Sequence, residues 1–223
     1  MVQRFPIYSG SESAPDSVYA VDLWYQMENN SADSSGNARD ATYAGSYTTS
    51  GAPQGSYWIT SAYSADFTAP TFTQNDTITM FCRMRYDGTG SNSQMANWDY
   101  FGSAEGWTWQ LDAPNGAVDF NKKVSSTIYY SRTANSVLSM NTTYSFAVVI
   151  RGQHTRFFID GLLASSPDSV TIATQPSTSE PIVIADVLLG ELDDFQFYNR
   201  AVPNDSILYL HEHPGYVLKY LPE

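Results

Sequence analysis

The stretch Gly190-Glu-Leu-Asp-Asp-Phe-Gln-Phe-Tyr-Asn-Arg-Ala201 decides how this chain is interpreted, because it has the composition of a strand that closes a sheet. A two-residue period predicts one face with Asp193, Phe195 and Phe197, and an opposite face with Leu192, Asp194, Gln196 and Tyr198. A carboxylate in line with two large apolar side chains is costly unless it is hydrogen-bonded, paired or bound to a cation. Asp193 is therefore expected to meet backbone donors, Arg200 or a metal ion.

Strand-forming segments separated by turns recur along the rest of the chain. They are predicted at residues 18–27, 56–59, 65–67, 77–86, 116–120, 126–130, 145–150, 155–160 and 182–189. After the closing strand, Val202 to Leu210 predicts a short helical segment with Pro203 near its start, placed at a sheet edge. The fold class is therefore all-β, a two-sheet antiparallel β-sandwich of about a dozen strands with one short C-terminal helical turn.

The closing stretch resembles the terminal motif of the laminin-G-like, concanavalin A-like jelly rolls of the lectin and glucanase superfamily. Asp33 to Asn37 resembles the early loop of that family, and Phe157 to Gly161 resembles its strand and turn, with residues 145–150 as the strand before. The resemblance covers residues 18–212 and implies a concanavalin A-like jelly roll. We predict an N-terminal arm at 1–16, the jelly roll at 17–212 and a C-terminal tail at 213–223.

Composition limits the partners that this chain can have. The 223 residues carry a net charge of -12, and only 15% of them are charged. Nucleic acids and anionic membrane surfaces demand an excess of Lys and Arg, so neither is predicted as a partner. Met1 to Pro6 does not have the pattern of a secretory signal, and no later segment is long enough to span a bilayer. The chain is expected to be soluble, and to reach a virion or an extracellular surface by assembly.

Glu191-Leu-Asp193 is the nearest approach to an enzyme motif. Laminarinase-like glycoside hydrolases of the resembled fold carry Glu-x-Asp-x-(x)-Glu, in which the outer acids are the nucleophile and the acid/base. Phe195 and Gln196 occupy the places of the third acid here. Because a retaining mechanism needs two carboxyl groups roughly 5 Å apart, we predict that the chain is not an enzyme and has no catalytic residues. The single cysteine, Cys82, is expected to be a buried structural thiol.

A structural calcium ion is the cofactor that the resemblance implies. Relatives of the fold hold calcium between the early loop and the final strand, which points to Glu28, Asp33, Asn37, Asp40, Asp193 and Asp194. Calcium accepts six to eight oxygen ligands of mixed type. The alternative is that Asp33 and Asn37 cap their own turn while Asp193 accepts backbone hydrogen bonds.

Aromatic residues are concentrated between Gln94 and Leu111. Trp98, Tyr100, Trp107 and Trp109 are candidates for a ligand-binding platform, because sugar rings stack their C–H faces on aromatic planes. The alternative is that Trp107 and Trp109, which share strand parity, fill the core. One or two exposed rings are expected.

Two non-catalytic functions are consistent with these features. The first is a glycan-binding or adhesion module, whose partner is a polysaccharide or a cell-surface glycan. The second is a structural virion component of a bacteriophage, such as a head fibre, decoration or tail protein, whose partners are other virion proteins or further copies of itself. A glycoside hydrolase is the third and weakest interpretation.

Overall fold

The architecture is taken from a computed structural model of the chain. It describes residues 21–43, 45–48, 58–60, 67–71, 73–74, 77–86, 93–98, 106–124, 127–152, 154–165, 181–185 and 190–218. The predicted arm at 1–16 lies outside these residues. Within them, no helix has the length and apolar character needed to cross a bilayer.

The described residues form fifteen strands and one α-helix. The strands are β1 (Leu23–Tyr25), β2 (Thr42–Tyr43), β3 (Ser46–Thr48), β4 (Trp58–Thr60), β5 (Phe67–Thr68), β6 (Thr77–Tyr86), β7 (Ser93–Trp98), β8 (Gly106–Asp112), β9 (Ala117–Val124), β10 (Thr127–Arg132), β11 (Thr142–Arg151), β12 (His154–Ile159), β13 (Leu162–Ser165), β14 (Ile182–Ile184) and β15 (Gly190–Tyr198). The helix α1 covers Asn204–Glu212, and a 3-10 turn at Ala113–Asn115 joins β8 to β9.

Two antiparallel sheets make the sandwich. One has eight strands in the order β13-β12-β11-β6-β15-β4-β3, with β1 also paired to β15, and the other has seven in the order β10-β9-β8-β7-β14-β5-β2. The predicted all-β jelly-roll sandwich is thus confirmed. The prediction for β6 matches its bounds at both ends, whereas most other predicted strands differ from the observed ones by one to four residues.

The core lies between the two sheets. Alternate residues of β6, including Met80, Cys82 and Met84, face the large aromatic side chains of the opposite sheet, and all of them are buried in one apolar cluster. Burial also raises the pKa of the Cys82 thiol well above its usual range. A thiol in these surroundings is structural, as predicted.

A β-bulge changes the faces of the closing strand β15. The pairing of β15 with β6 shifts between Asp193 and Gln196, and Asp194 adopts a positive φ of 51°. The extra residue reverses the alternation, so Phe195 and Phe197 share the core face with Leu192. The predicted placement of Asp193 on the face of Phe195 and Phe197 is therefore wrong.

Helix α1 packs on the outer face of the eight-stranded sheet and also contacts its edge strand β13, the sheet edge being where the sequence predicted it. Ile207 and Leu210 of the helix, with Val217 and Leu218 beyond it, join an apolar cluster that includes Phe81, Val149, Phe158 and Tyr198 of that face. The helix has nine residues, about two and a half turns, and is thus longer than the single turn predicted. It covers the face onto which the side chains of Arg83 and Asp194 project.

Candidate functional site

The outer face of the seven-stranded sheet is polar, although much of it is buried. Trp107 and Trp109 of β8 point into the core, so the alternate residue Thr108 points outward. Strand register aligns Thr108 with Asn97 of β7 on one side and with Asn121 of β9 on the other, and Asn121 with Tyr130 of β10. We call these four residues the polar row; it crosses four neighbouring strands.

Two atoms of the polar row have no hydrogen-bond partner among the residues that the structure describes. They are Oγ1 of Thr108 and Oδ1 of Asn121, whose residues are only 1% and 4% exposed. Asn97, in contrast, donates from Nδ2 to Oε1 of Gln94 at 3.2 Å. Buried polar atoms in folded proteins are nearly always bonded to protein, ordered water or a ligand. These two atoms, which we call the orphan atoms, therefore mark a place with unused hydrogen-bonding capacity.

An exposed aromatic ring stands at the end of the polar row. Tyr130 is 62% exposed and lies on the edge strand β10, on the same face as Asn121. Ile128, two residues earlier, is also exposed on this face. A flat aromatic surface thus adjoins groups that can bond to hydroxyls.

An ion-pair cluster flanks the polar row on the same face. Arg132 of β10 donates from Nε to Oδ1 of Asp119 at 2.7 Å and from Nη2 to Oδ2 at 2.9 Å, and Nη2 also lies 2.7 Å from Oδ2 of Asp112. Burial raises the pKa of Asp119, while the hydrogen bonds and charge of Arg132 oppose that rise. One guanidinium therefore serves two buried carboxylates.

The tryptophans do not form the predicted platform. Trp98, Trp107 and Trp109 are at most 1% exposed and belong to the core cluster between the sheets. Their shared parity was recognised from the sequence, but it places them on the inner face. The prediction that at least one of these rings is exposed is wrong, and Tyr100 lies outside the described residues.

The acids of the early loop are occupied by that loop. Oδ1 of Asp33 accepts hydrogen bonds from the backbone N–H of Trp24 and Ser35, and Oδ2 accepts from the N–H of Arg39 and the hydroxyl of Ser35. Further hydrogen bonds close the same loop. Oδ1 of Asp40 accepts from the N–H of Asp33, and Nδ2 of Asn37 donates to the backbone carbonyl of Asp22. The backbone carbonyl of Glu28 accepts from Nδ2 of Asn30. Asp33 thus caps its own turn, which was the alternative to a metal ligand.

The acids of the closing strand belong to a different group of residues. Asp194 is fully buried and accepts hydrogen bonds from Nε1 of Trp24 at 2.9 Å, from Nε2 of Gln196 at 2.9 Å and from Nε of Arg83 at 3.4 Å. Burial raises its pKa, and the positive charge of Arg83 opposes that rise. Oδ1 of Asp193 accepts from the N–H of Asp194. Asp194 is therefore paired with an arginine of the neighbouring strand β6.

A calcium ion shared by the early loop and the closing strand does not fit these bonds. The described residues contain no group of three or more His, Cys, Asp or Glu side chains arranged to hold a metal. Asp33 and Asp194 each accept from several donors, and a cation would have to displace those donors. The residues predicted to hold calcium therefore do not fit that ion, and the prediction of a calcium site has to be tested by ion binding.

Melting curves test the calcium prediction directly. A site that binds only the folded chain would raise its stability by about 2.7 kcal/mol at a hundredfold excess over Kd, which corresponds to a rise in Tm of roughly 5–11 °C for a chain of this length. Because the acids already have donors, we expect the same Tm in chelator and in millimolar calcium. A rise in calcium that Asp33→Asn abolishes would establish the site.

The near-motif for glycoside hydrolysis is not arranged as an acid pair. The side chain of Glu191 bonds to Arg85, with Oε1 2.8 Å from Nη2. Gln196, in the place of the missing acid, donates to Asp194 and to the Tyr216 carbonyl. Because Glu191 and Gln196 belong to the eight-stranded sheet, the near-motif and the polar row lie on different sheets.

The sequence matches a family model over most of the sandwich. The model, described as the concanavalin A-like lectin/glucanases superfamily, matches residues 60–208. The chain belongs to this superfamily. No curated protein sequence matches it.

Solved structures show the same fold at low sequence identity. One similar structure is domain 4 of AbnA, a GH43 extracellular arabinanase from Geobacillus stearothermophilus, in complex with arabinotriose. It matches with a TM-score of 0.71 and 12% sequence identity, and the match covers 88% of this chain and 100% of that one. The chain also matches the botulinum neurotoxin serotype D binding domain, with a TM-score of 0.66, 13% identity, and coverage of 86% and 51%. The chain thus spans about half of the length of the toxin structure.

A second toxin structure concerns a defined ligand. Cell entry of botulinum neurotoxin type C is dependent upon interaction with two ganglioside molecules, and this structure matches with a TM-score of 0.66, 10% identity, and coverage of 86% of this chain and 51% of that one. The arabinanase domain in complex with arabinotriose and the type C toxin are thus two similar structures of proteins that contact carbohydrate.

The members of the polar row were not identified from the sequence. Asn97, Thr108, Asn121 and Tyr130 come from four strands, and no local motif connects them. The only available signal was the alternation in β10, where Ile128, Tyr130 and Arg132 share one face. That signal would have drawn attention to Tyr130 but not to its neighbours.

Proposed function

We propose that the chain is a non-catalytic glycan-binding module that binds its ligand on the outer face of the seven-stranded sheet. The observation that carries this proposal is the exposed ring of Tyr130 beside two buried polar atoms without partners, on Thr108 and Asn121. A sugar ring offers an apolar C–H face for the tyrosine and hydroxyls for the orphan atoms. Ligand sites commonly combine apolar or aromatic surface with a few placed polar groups.

The bonds of the acids support binding rather than catalysis. Arg132 holds Asp112 and Asp119, and Arg85 holds Glu191. These carboxylates are engaged in salt bridges and are not arranged as a pair of free acids for glycoside hydrolysis. These acids are better suited to accept hydrogen bonds from hydroxyls.

The alternative of a virion component stays a prediction.

Substitution of Tyr130 tests the proposed function. We expect Tyr130→Ala to weaken binding to the polysaccharide that the wild-type chain retains best by at least tenfold, about 1.4 kcal/mol, because an aromatic anchor dominates small interfaces. A panel of immobilised arabinan, β-glucan and mannan, followed by titration calorimetry with the best of them, would measure the effect.

Two matched variants control for indirect effects. Tyr130→Phe keeps the aromatic plane and should retain most of the affinity. Leu163→Ala removes an exposed apolar side chain from the other sheet and should leave affinity unchanged. Equal binding by the wild type and Tyr130→Ala, both folded, would contradict the proposed site.

A further inference from the structure

The charges around the polar row define the class of glycan that it can take. We infer that the site selects an uncharged glycan and discriminates against sugars that carry carboxylate or sulfate groups. This inference rests on the proposed function and concerns the ligand of the same face.

The described residues of β8, β9 and β10 place four charged side chains on this face. Arg132 and Lys123 are positive, and Asp112 and Asp119 are negative, so their formal charges cancel. The whole chain carries a net charge of -12. An anionic ligand therefore gains no net attraction from the face and is repelled by the chain.

Arg132 is the strongest anion-binding group on the face, but it is already engaged. Its Nε and Nη2 atoms bond to both oxygens of Asp119, and Nη2 also contacts Asp112. Both carboxylates are at least nine-tenths buried. A ligand carboxylate that took Arg132 would leave a buried aspartate without its counter-charge, which is the costly arrangement.

The orphan atoms favour a ligand that donates hydrogen bonds. Oδ1 of Asn121 can only accept a hydrogen bond, whereas Oγ1 of Thr108 can donate or accept one. Sugar hydroxyls supply donors, but ionised carboxylates and sulfates have none. The hydrogen-bonding pattern therefore matches a neutral, hydroxyl-rich ligand.

Lys123 is the group through which an acidic glycan would bind if the inference were wrong. It lies on β9 two residues after Asn121, on the same face, and it is partly exposed. Its register partner on β10 is Ile128, two residues before Tyr130. It thus provides a defined alternative that a substitution can test.

The test compares neutral arabinan with polygalacturonate on the full chain. We expect arabinan to bind at least tenfold more tightly, by calorimetry at low and at physiological salt. Asp112→Asn and Asp119→Asn should each reduce the ratio of the arabinan affinity to the polygalacturonate affinity at low salt, because each removes a negative charge from the face. Circular dichroism would establish that the variants are folded.

The outcomes separate this inference from the proposed function. If polygalacturonate binds as tightly as arabinan, and Lys123→Gln loses that binding, the chain binds glycans but the inference of a neutral ligand is overturned. An unchanged preference in both folded aspartate variants would overturn the role of the carboxylates. If neither polymer binds and no member of the wider panel does, the proposed function fails and the inference fails with it.

Discussion

Replacement of Asp194 by alanine is expected to lower the free energy of unfolding by about 3–5 kcal/mol, which corresponds to a fall in Tm of about 6–20 °C. Asp194 is fully buried and is the acceptor for Trp24, Gln196 and Arg83. Its loss leaves the Arg83 guanidinium buried without a counter-charge. Urea unfolding and thermal melts would measure the change.

The effect should extend to helix α1. Arg83 also donates from Nη2 to the carbonyls of Leu210 and His211 in the last turns of the helix. Amide hydrogen exchange in 204–212 is therefore expected to quicken in the variant, because the arginine that holds the helix end is no longer fixed by its acid.

A second ion pair on the same strand provides the control. Glu191 pairs with Arg85, whose side chain is 40% exposed. Solvent screens this pair, so Glu191→Gln should cost no more than about 1 kcal/mol. Equal losses in the free energy of unfolding for Glu191→Gln and Asp194→Ala would contradict the role assigned to the buried pair of Asp194 and Arg83.

Replacement of Trp109 by alanine is expected to lower the free energy of unfolding by about 3–5 kcal/mol, because it removes a fully buried aromatic side chain and leaves a cavity. Urea unfolding would measure the loss. If Trp109 instead formed a glycan-binding surface, the Trp109→Ala variant would lose glycan affinity with little loss of stability.

The two core tryptophans of β8 differ in one contact that phenylalanine variants can test. Nε1 of Trp109 has no hydrogen-bond partner within the described part of the chain, whereas Nε1 of Trp107 donates to Oε1 of Gln74 at 3.1 Å. Trp107→Phe should therefore cost about 1 kcal/mol more than Trp109→Phe. A larger cost for Trp109→Phe would contradict this assignment.

The sequence predicted the strands better than their faces. Every second residue of β6 from Ile78 to Tyr86 is apolar, so both the bounds and the inner face of this strand follow from the pattern. In β15 the same reasoning failed at Asp194, because a bulge adds a residue that no period reveals. The partner of Asp194 was also hidden, since Arg83 lies 111 positions earlier in the chain.

The candidate site was the least predictable part. Parity grouped Trp107 with Trp109 but did not state which face was inside. The polar row exists only after register brings four strands together, and its members are ordinary polar residues in the sequence. The chemistry of the row therefore depends on tertiary structure rather than on a motif.

The position of β15 also determines when the chain can fold. This strand is bonded to β1, β4 and β6, whose sequences precede it by more than a hundred residues. In the folded chain β6 lies between β11 and β15, so the edge of β6 that bonds to β15 has no strand partner until Gly190–Tyr198 has been synthesised. Closing such long loops is slow. The nascent chain consequently carries an aggregation-prone edge until late in its synthesis, and truncation before residue 190 would make that exposure permanent.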